Sequence, residues 1–227
     1  MSAPIGILML DTGFLRIPGD VGCPETFPFP VRYARVAGAS VGATVHGDPA
    51  PLLGAFVEAG LRLAGEGCIG VTTTCGFLSL FQRELAARLP VPVATSALLQ
   101  IRSVAALLAP GRRPGIVTYS AVALTPAHLE AAGAPPDIPV RGLDPGGALA
   151  TMIRGERPDL DREAAGRETV AACLALVADH PETGAIVLEC ANLPPYRAAV
   201  AAATGLPVFD AVTMIGWFRA ALLPAAP

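Results

Sequence analysis

The chain has 227 residues, 52% of them hydrophobic and only 15% charged, with a formal net charge of −3. A chain of this length buries roughly 70% of its unfolded surface without disulfide staples, its composition excludes disorder, and charge spread without runs leaves no basic footprint for nucleic acid and no acidic tail. All 16 Lys+Arg residues are arginine, which excludes a pyridoxal phosphate Schiff base, a phosphate-loop lysine and every lysine nucleophile or base.

Short apolar runs alternate with helical periodicity, the pattern of an α/β fold with parallel sheets. Ile5 to Leu10 reads as a buried strand ending at Asp11-Thr12-Gly13. Behind the start Met1-Ser2-Ala3-Pro4, which lacks a basic n-region, this apolar run is too short for a signal peptide. The Pro/Gly-rich loop that follows, to about Pro30, is too long for a mere connector and marks a functional loop. Val31 to Val45 reads as one strand with irregular flanks. Leu53, Phe56, Val57 and Leu61 fall at helical spacing, and Gly65 stops that helix. Ile69 to Thr74 is a strand, and Leu78, Phe81, Leu85 and Leu89 mark the next helix. Ala97 to Leu108 is helical, Gly115 to Tyr119 a strand, and Thr125-Pro126 a helix start with proline in first position. Val170, Cys173, Leu174 and Val177 line one helix face. Ala185 to Leu188 is a strand, and helices near Tyr196–Ala203 and Met214–Leu222 close the chain.

Two segments superpose without a gap: GVTTTCGFLSLFQRELAARLPVPVAT on AIVLECANLPPYRAAVAAATGLPVFD, with Cys75 on Cys190. Phe81 falls on Tyr196, and Pro92 on Pro207 at a Pro-Val strand start. A weaker match places Ile7 to Asp11 on Ile116 to Ser120. The economical reading is two pseudo-symmetric, Rossmann-like parallel-sheet domains, 1–96 with 210–227 and 97–209, with the active site in the cleft between them. Ligands of such sheets bind at the carboxyl ends of the strands, where the following helices point their N-termini. Both cysteines fall at that boundary. A helix N-terminus there lowers a thiol's pKa, and one thiolate with one thiol across a bound molecule would invert a stereocentre by two bases without a cofactor.

Three motifs carry a family resemblance. GILMLDTG resembles the strand ending in Asp-Ser-Gly of the aspartate/glutamate racemase superfamily, VTTTCG its first cysteine strand, and IVLECANLP its second, commonly Gly-Cys-Thr-His with a following Phe-Pro. The resemblance implies a cofactor-independent isomerase, a racemase or epimerase of a small anionic, carboxylate-bearing compound such as an amino acid, with Cys75 and Cys190 as the paired acid and base of a 1,1-proton transfer and Asp11 beside them. Thr12, Thr74, Gly76, Phe77, Ser120, Ala191 and Asn192 are the expected substrate-binding residues, and the Gly76 and Ala191 amides suit an enolate-like oxygen. The superfamily also suggests a homodimer. The departures are Gly76-Phe77 where many members have Asn-Thr, and Ala191-Asn192 in place of Thr-His. They argue against glutamate as substrate and open the alternative of an isomerase, lyase or decarboxylase using one cysteine. A non-catalytic binding module is the second alternative.

Other features read as structural. Cys68 and Cys173 are core residues and Cys23 a bystander; Arg16 and Arg32 are read as solvated; Thr12, Ser120 and Asn192 are equally suited to local turns. Gly65-Glu66-Gly67-Cys68-Ile69-Gly70 spells G-x-G-x-x-G but precedes a strand, the wrong context for a dinucleotide. The three histidines lack ligand spacing, so no metal is expected. Five cysteines without C-x-x-C spacing, and no stretch approaching 18 uninterrupted apolar residues, point to a cytoplasmic protein away from membranes.

Overall fold

In the computed structural model, which describes residues 3–223, the apolar runs become the strands of two parallel sheets. The chain runs β1 (Ile5–Leu10), β2 (Val31–Val36), α1 (Leu53–Gly65), β3 (Gly70–Thr73), α2 (Gln82–Arg88), β4 (Val93–Ala94) and α3 (Ile101–Leu107). It continues with β5 (Arg113–Thr118), α4 (Pro126–Ala131), β6 (Val140–Gly142), α5 (Ala148–Gly155), α6 (Arg162–Asp179), β7 (Thr183–Leu188), α7 (Arg197–Thr204), β8 (Val208–Phe209) and α8 (Ala211–Leu222). The sheet orders are β2-β1-β3-β4 and β6-β5-β7-β8, so the two have one topology. The two-domain α/β fold expected from the sequence is the fold of the protein.

Matched hydrogen bonds give the repeat a physical basis. Val71 donates to the Pro92 carbonyl at 2.9 Å, and its counterpart Ile186 to Pro207 at 3.0 Å. Thr74 donates to Leu8 at 3.0 Å, and Glu189 to Val117 at 2.8 Å, which places the weaker Ile7/Ile116 match in register as well. Each proline sits one residue before its short strand because it has no N–H to give the ladder and only its carbonyl is used.

Two glycines set the layer spacing. A Cβ on Gly70 would stand 2.5 Å from Leu222 and 2.8 Å from Phe218, so α8 lies close against the first sheet. A Cβ on Gly115 would meet Leu176 of α6 at 2.8 Å on the second. The inner face of α6 is Ala165, Thr169, Ala172, Cys173 and Leu176, spaced for one helical stripe. Leu174 is turned out, 45% exposed; one residue beyond Cys173 is a rotation of about 100°, so grouping it with the buried face was wrong. The sequence reading passed over β6, only three residues long, and α5, whose buried Leu149, Ala150, Met152 and Ile153 lie on one helical face. Val31 to Val45 divides into β2 and a π-helical turn, Gly42–His46. His128 completes the α4 cap, its Nδ1 accepting from the Thr125 amide at 3.1 Å.

Candidate active site

Cys75 follows β3 in extended conformation (φ −145°, ψ 112°) and opens a 3₁₀ turn, Gly76–Phe81. The Thr73 hydroxyl pins this corner, accepting from the Cys75 amide at 3.2 Å. The amides of Phe77 and Leu78 donate toward the Cys75 sulfur, which favours the thiolate. Cys190 follows β7 at the equivalent corner, and the Asn192 amide likewise donates toward its sulfur, but this thiol also has a side-chain partner. It donates to Asn192 Oδ1 at 3.4 Å, and the Asn192 amide nitrogen donates to the Asp20 carboxylate. Asp20 belongs to the long loop and is buried. It also accepts from Arg16 at 3.1 Å and from the Gly22 amide at 2.6 Å. The loop is thereby tied to the second cysteine through one amide side chain.

The two cysteines line one cavity of about 30 Å³, room for about two waters. Of the residues expected to bind substrate, Thr74, Gly76, Phe77, Ala191 and Asn192 share its wall. Leu10, Phe14, Val41, Val45, Tyr119 and Ile153 close it with hydrocarbon and rings. Arg16 is the one cation in this wall among the described residues, its guanidinium 4.1 Å from the centre of the Phe14 ring. The expectation that Arg16 is solvated is therefore corrected, while Arg32 does lie at the surface, 3.6 Å from Glu66.

Three expected site residues lie elsewhere. Asp11 turns away because side chains alternate along a strand end. Leu10 faces the cavity, and the Asp11 carboxylate accepts from the Gly38 amide at 3.1 Å and pairs with Arg35 at 3.4 Å. Thr12 is buried behind Arg16, accepting from it at 3.2 Å. Ser120 caps its own turn, accepting from the Ala123 amide at 3.3 Å, while its neighbour Tyr119 takes the cavity position.

The electrostatics also differ from expectation. Burial pushes the Cys75 thiol up to about 12 and the Glu189 charge adds to the rise; the same two causes hold Cys190 well above the ordinary thiol range. The helix-terminus effect is outweighed because α2 and α7 begin only at Gln82 and Arg197, beyond the one turn over which a helix end acts strongly. Glu189 itself is fully buried. Thr118 donates to its Oε2 at 2.6 Å, its Oε1 has no hydrogen-bond partner, and burial pushes its carboxyl up to about 7. Sequence reasoning passed over this residue. Its signal was an acid closing an apolar strand, immediately before Cys190. Among the described residues no group of three or more His, Cys, Asp or Glu is placed to hold a metal, and no helix is long and apolar enough to cross a membrane.

No family model matches the chain. It is 30% identical over 224 residues to a dimethylsulfoniopropionate lyase of Durusdinium sp. clade D, an alignment covering 95% of this chain and 74% of that protein. Allantoin racemase from Klebsiella pneumoniae is similar in structure, with TM-score 0.69, 18% identity, and 97% of this chain and 87% of that one covered. Arylmalonate decarboxylase is similar too, with TM-score 0.66, 16% identity, and coverage of 96% and 92%. These structural likenesses speak for the fold, and the sequence relative speaks for closer kinship. The chain is an enzyme with the fold shared by allantoin racemase and arylmalonate decarboxylase, and it belongs to the family of the dimethylsulfoniopropionate lyases.

Proposed function

We propose that the protein is a lyase acting on a small carboxylate with a leaving group on its β carbon. The observation that carries this reading is the unequal bonding of the two thiols. Cys75 receives two amide donors, from Phe77 and Leu78, which suit a thiolate base, whereas Cys190 receives one, from Asn192, and also gives its hydrogen to the Asn192 side chain, which favours the thiol. One-way proton removal needs one base, while stereoinversion asks for two interchangeable ones. In the proposed step the Cys75 thiolate takes the proton beside the carboxylate, the freed electron pair forms the C=C bond, and the bond to the β substituent breaks with its pair leaving on that group. Arg16 faces the carboxylate, and the Gly76 and Ala191 amides meet the enolate-like oxygen as charge develops. By similarity to the Durusdinium enzyme, dimethylsulfoniopropionate is the first substrate to try; its products here would be dimethyl sulfide, acrylate and a proton.

A second reading, racemisation, is favoured by the placement of Cys75 and Cys190 as repeat mates on one cavity. Turnover in D₂O separates the two. Alkene production that falls at least 100-fold in Cys75→Ser supports the lyase, the order expected for losing an acid–base group. Deuterium entering the α carbon of a chiral carboxylate without alkene formation, and lost in either cysteine variant, would replace it with the racemase.

A further inference from the structure

Glu189 is a buried acid in the cavity wall whose chemistry the reading above leaves unused. It approaches the Cys75 corner so closely that a Cβ on Gly76 would stand 2.1 Å from Oε1 and 2.7 Å from the Glu189 carbonyl. Only glycine at 76 admits the carboxyl to this position. Oε2 is held by Thr118 from the floor of the second sheet, which aims Oε1 at the first half of the molecule. Oε1 is out of contact with solvent and without a hydrogen-bond partner, an arrangement that is costly for a buried acceptor and is tolerated where the group has work to do. In the matched repeat position stands Thr74, whose hydroxyl is already engaged, accepting from the Leu10 amide at 3.2 Å.

We propose that Glu189 is the proton-holding partner of Cys75, taking the thiol's proton on Oε1 so that a thiolate forms inside the cavity. The Cys75 S–H bond breaks, its electron pair stays on sulfur, and an O–H bond forms on Glu189. The pair then carries one negative charge throughout, so the repulsion that Glu189 exerts on both thiols is removed in the act of transfer. After the thiolate has taken the substrate's carbon proton, Glu189 releases its own to water, matching the one proton that elimination liberates. Glu189 acts through Cys75 and is therefore a positioning residue for that proton. The titratable groups around it are Cys75, Cys190, Tyr119 and Arg16 in the same wall, with Asp20 behind Asn192. That burial holds its carboxyl at about 7, within the working range, supports the assignment.

The inference rests on Cys75 being the base, and its test needs no substrate. Alkylation of Cys75 by iodoacetamide is followed by peptide mass spectrometry from pH 5 to 9. A proton shared within the pair makes the thiolate fraction rise about tenfold per pH unit up to about pH 7 and then level off. In Glu189→Gln the proton must leave to water, so the rate keeps climbing about tenfold per unit through pH 9. Glu189→Asp, which keeps a carboxyl, retains a plateau and guards against a folding defect in the glutamine variant. Parallel pH profiles in all three proteins overturn the proposal even if alkene is produced. A plateau lost only in Glu189→Gln upholds it even if dimethylsulfoniopropionate proves to be the wrong substrate.

Discussion

Replacing Glu189 by glutamine should change how stability depends on pH, and the size of the effect follows from the carboxyl's surroundings. Burial moves it from an ordinary 4.5 to about 7, and at 1.36 kcal/mol per unit this corresponds to about 3 kcal/mol. Below pH 4.5 the carboxyl is protonated in both folded and unfolded chains and costs nothing. Between 4.5 and about 7 the unfolded chain ionises while the folded one keeps its proton, so stability falls as pH rises. Above about 7 the whole penalty is present. The glutamine side chain can still accept from Thr118, but its amide hydrogens inherit the unpartnered place of Oε1, at a cost of about 1–3 kcal/mol that is independent of pH. The difference in slope is therefore the cleaner readout. Urea unfolding at half-unit steps from pH 4 to 8.5 should show the variant gaining about 3 kcal/mol on the parent across that range, with unchanged m-values. Asp20 contributes to both proteins alike, and the buried thiols, held above the ordinary thiol range by desolvation in either protein, add little to the difference below pH 8.5. A difference curve that stays flat would mean that this carboxyl ionises in the folded state as it does in the unfolded chain, and the reasoning about its burial would be refuted.

The loop network gives a further expectation. Asp20→Ala strips Arg16, the Gly22 amide and Asn192 of their common acceptor; breaking a buried pair of this kind costs about 3–5 kcal/mol. A lowered denaturation midpoint should accompany faster proteolysis within the 11–30 loop, and an unchanged midpoint would show that the loop stands without it. Gly76→Ala sets a methyl within 2.1 Å of Glu189 Oε1. It should cost at least about 1–3 kcal/mol of stability by overpacking, and Gly76→Ala combined with Glu189→Ala should recover part of that loss in thermal melts.

The architecture was legible because its signals are local or repeated. Strands in a sheet covered on both faces are continuous apolar runs, so Ile5 to Leu10 and Ala185 to Leu188 announce themselves. The match of Cys75 with Cys190 carries the same backbone hydrogen bonds in both halves and so survives as a pattern of residue types. That pattern determined the two-sheet fold and put both thiols at strand ends. Which neighbours enter the cavity was decided only in three dimensions. Asp11 and Ser120 have the right chemistry at a strand end, yet one step of side-chain alternation turns each away and leaves Leu10 and Tyr119 in their place. Arg16 and Asp20 sit in a loop without periodicity, and their approach to Asn192 spans residues far apart in the chain. The protonation of the site was equally invisible in one dimension. Nearness to a helix start suggests acidic thiols, but the displacement of water around Cys75, Glu189 and Cys190 sets the opposite balance, and desolvation is a property of the packed whole.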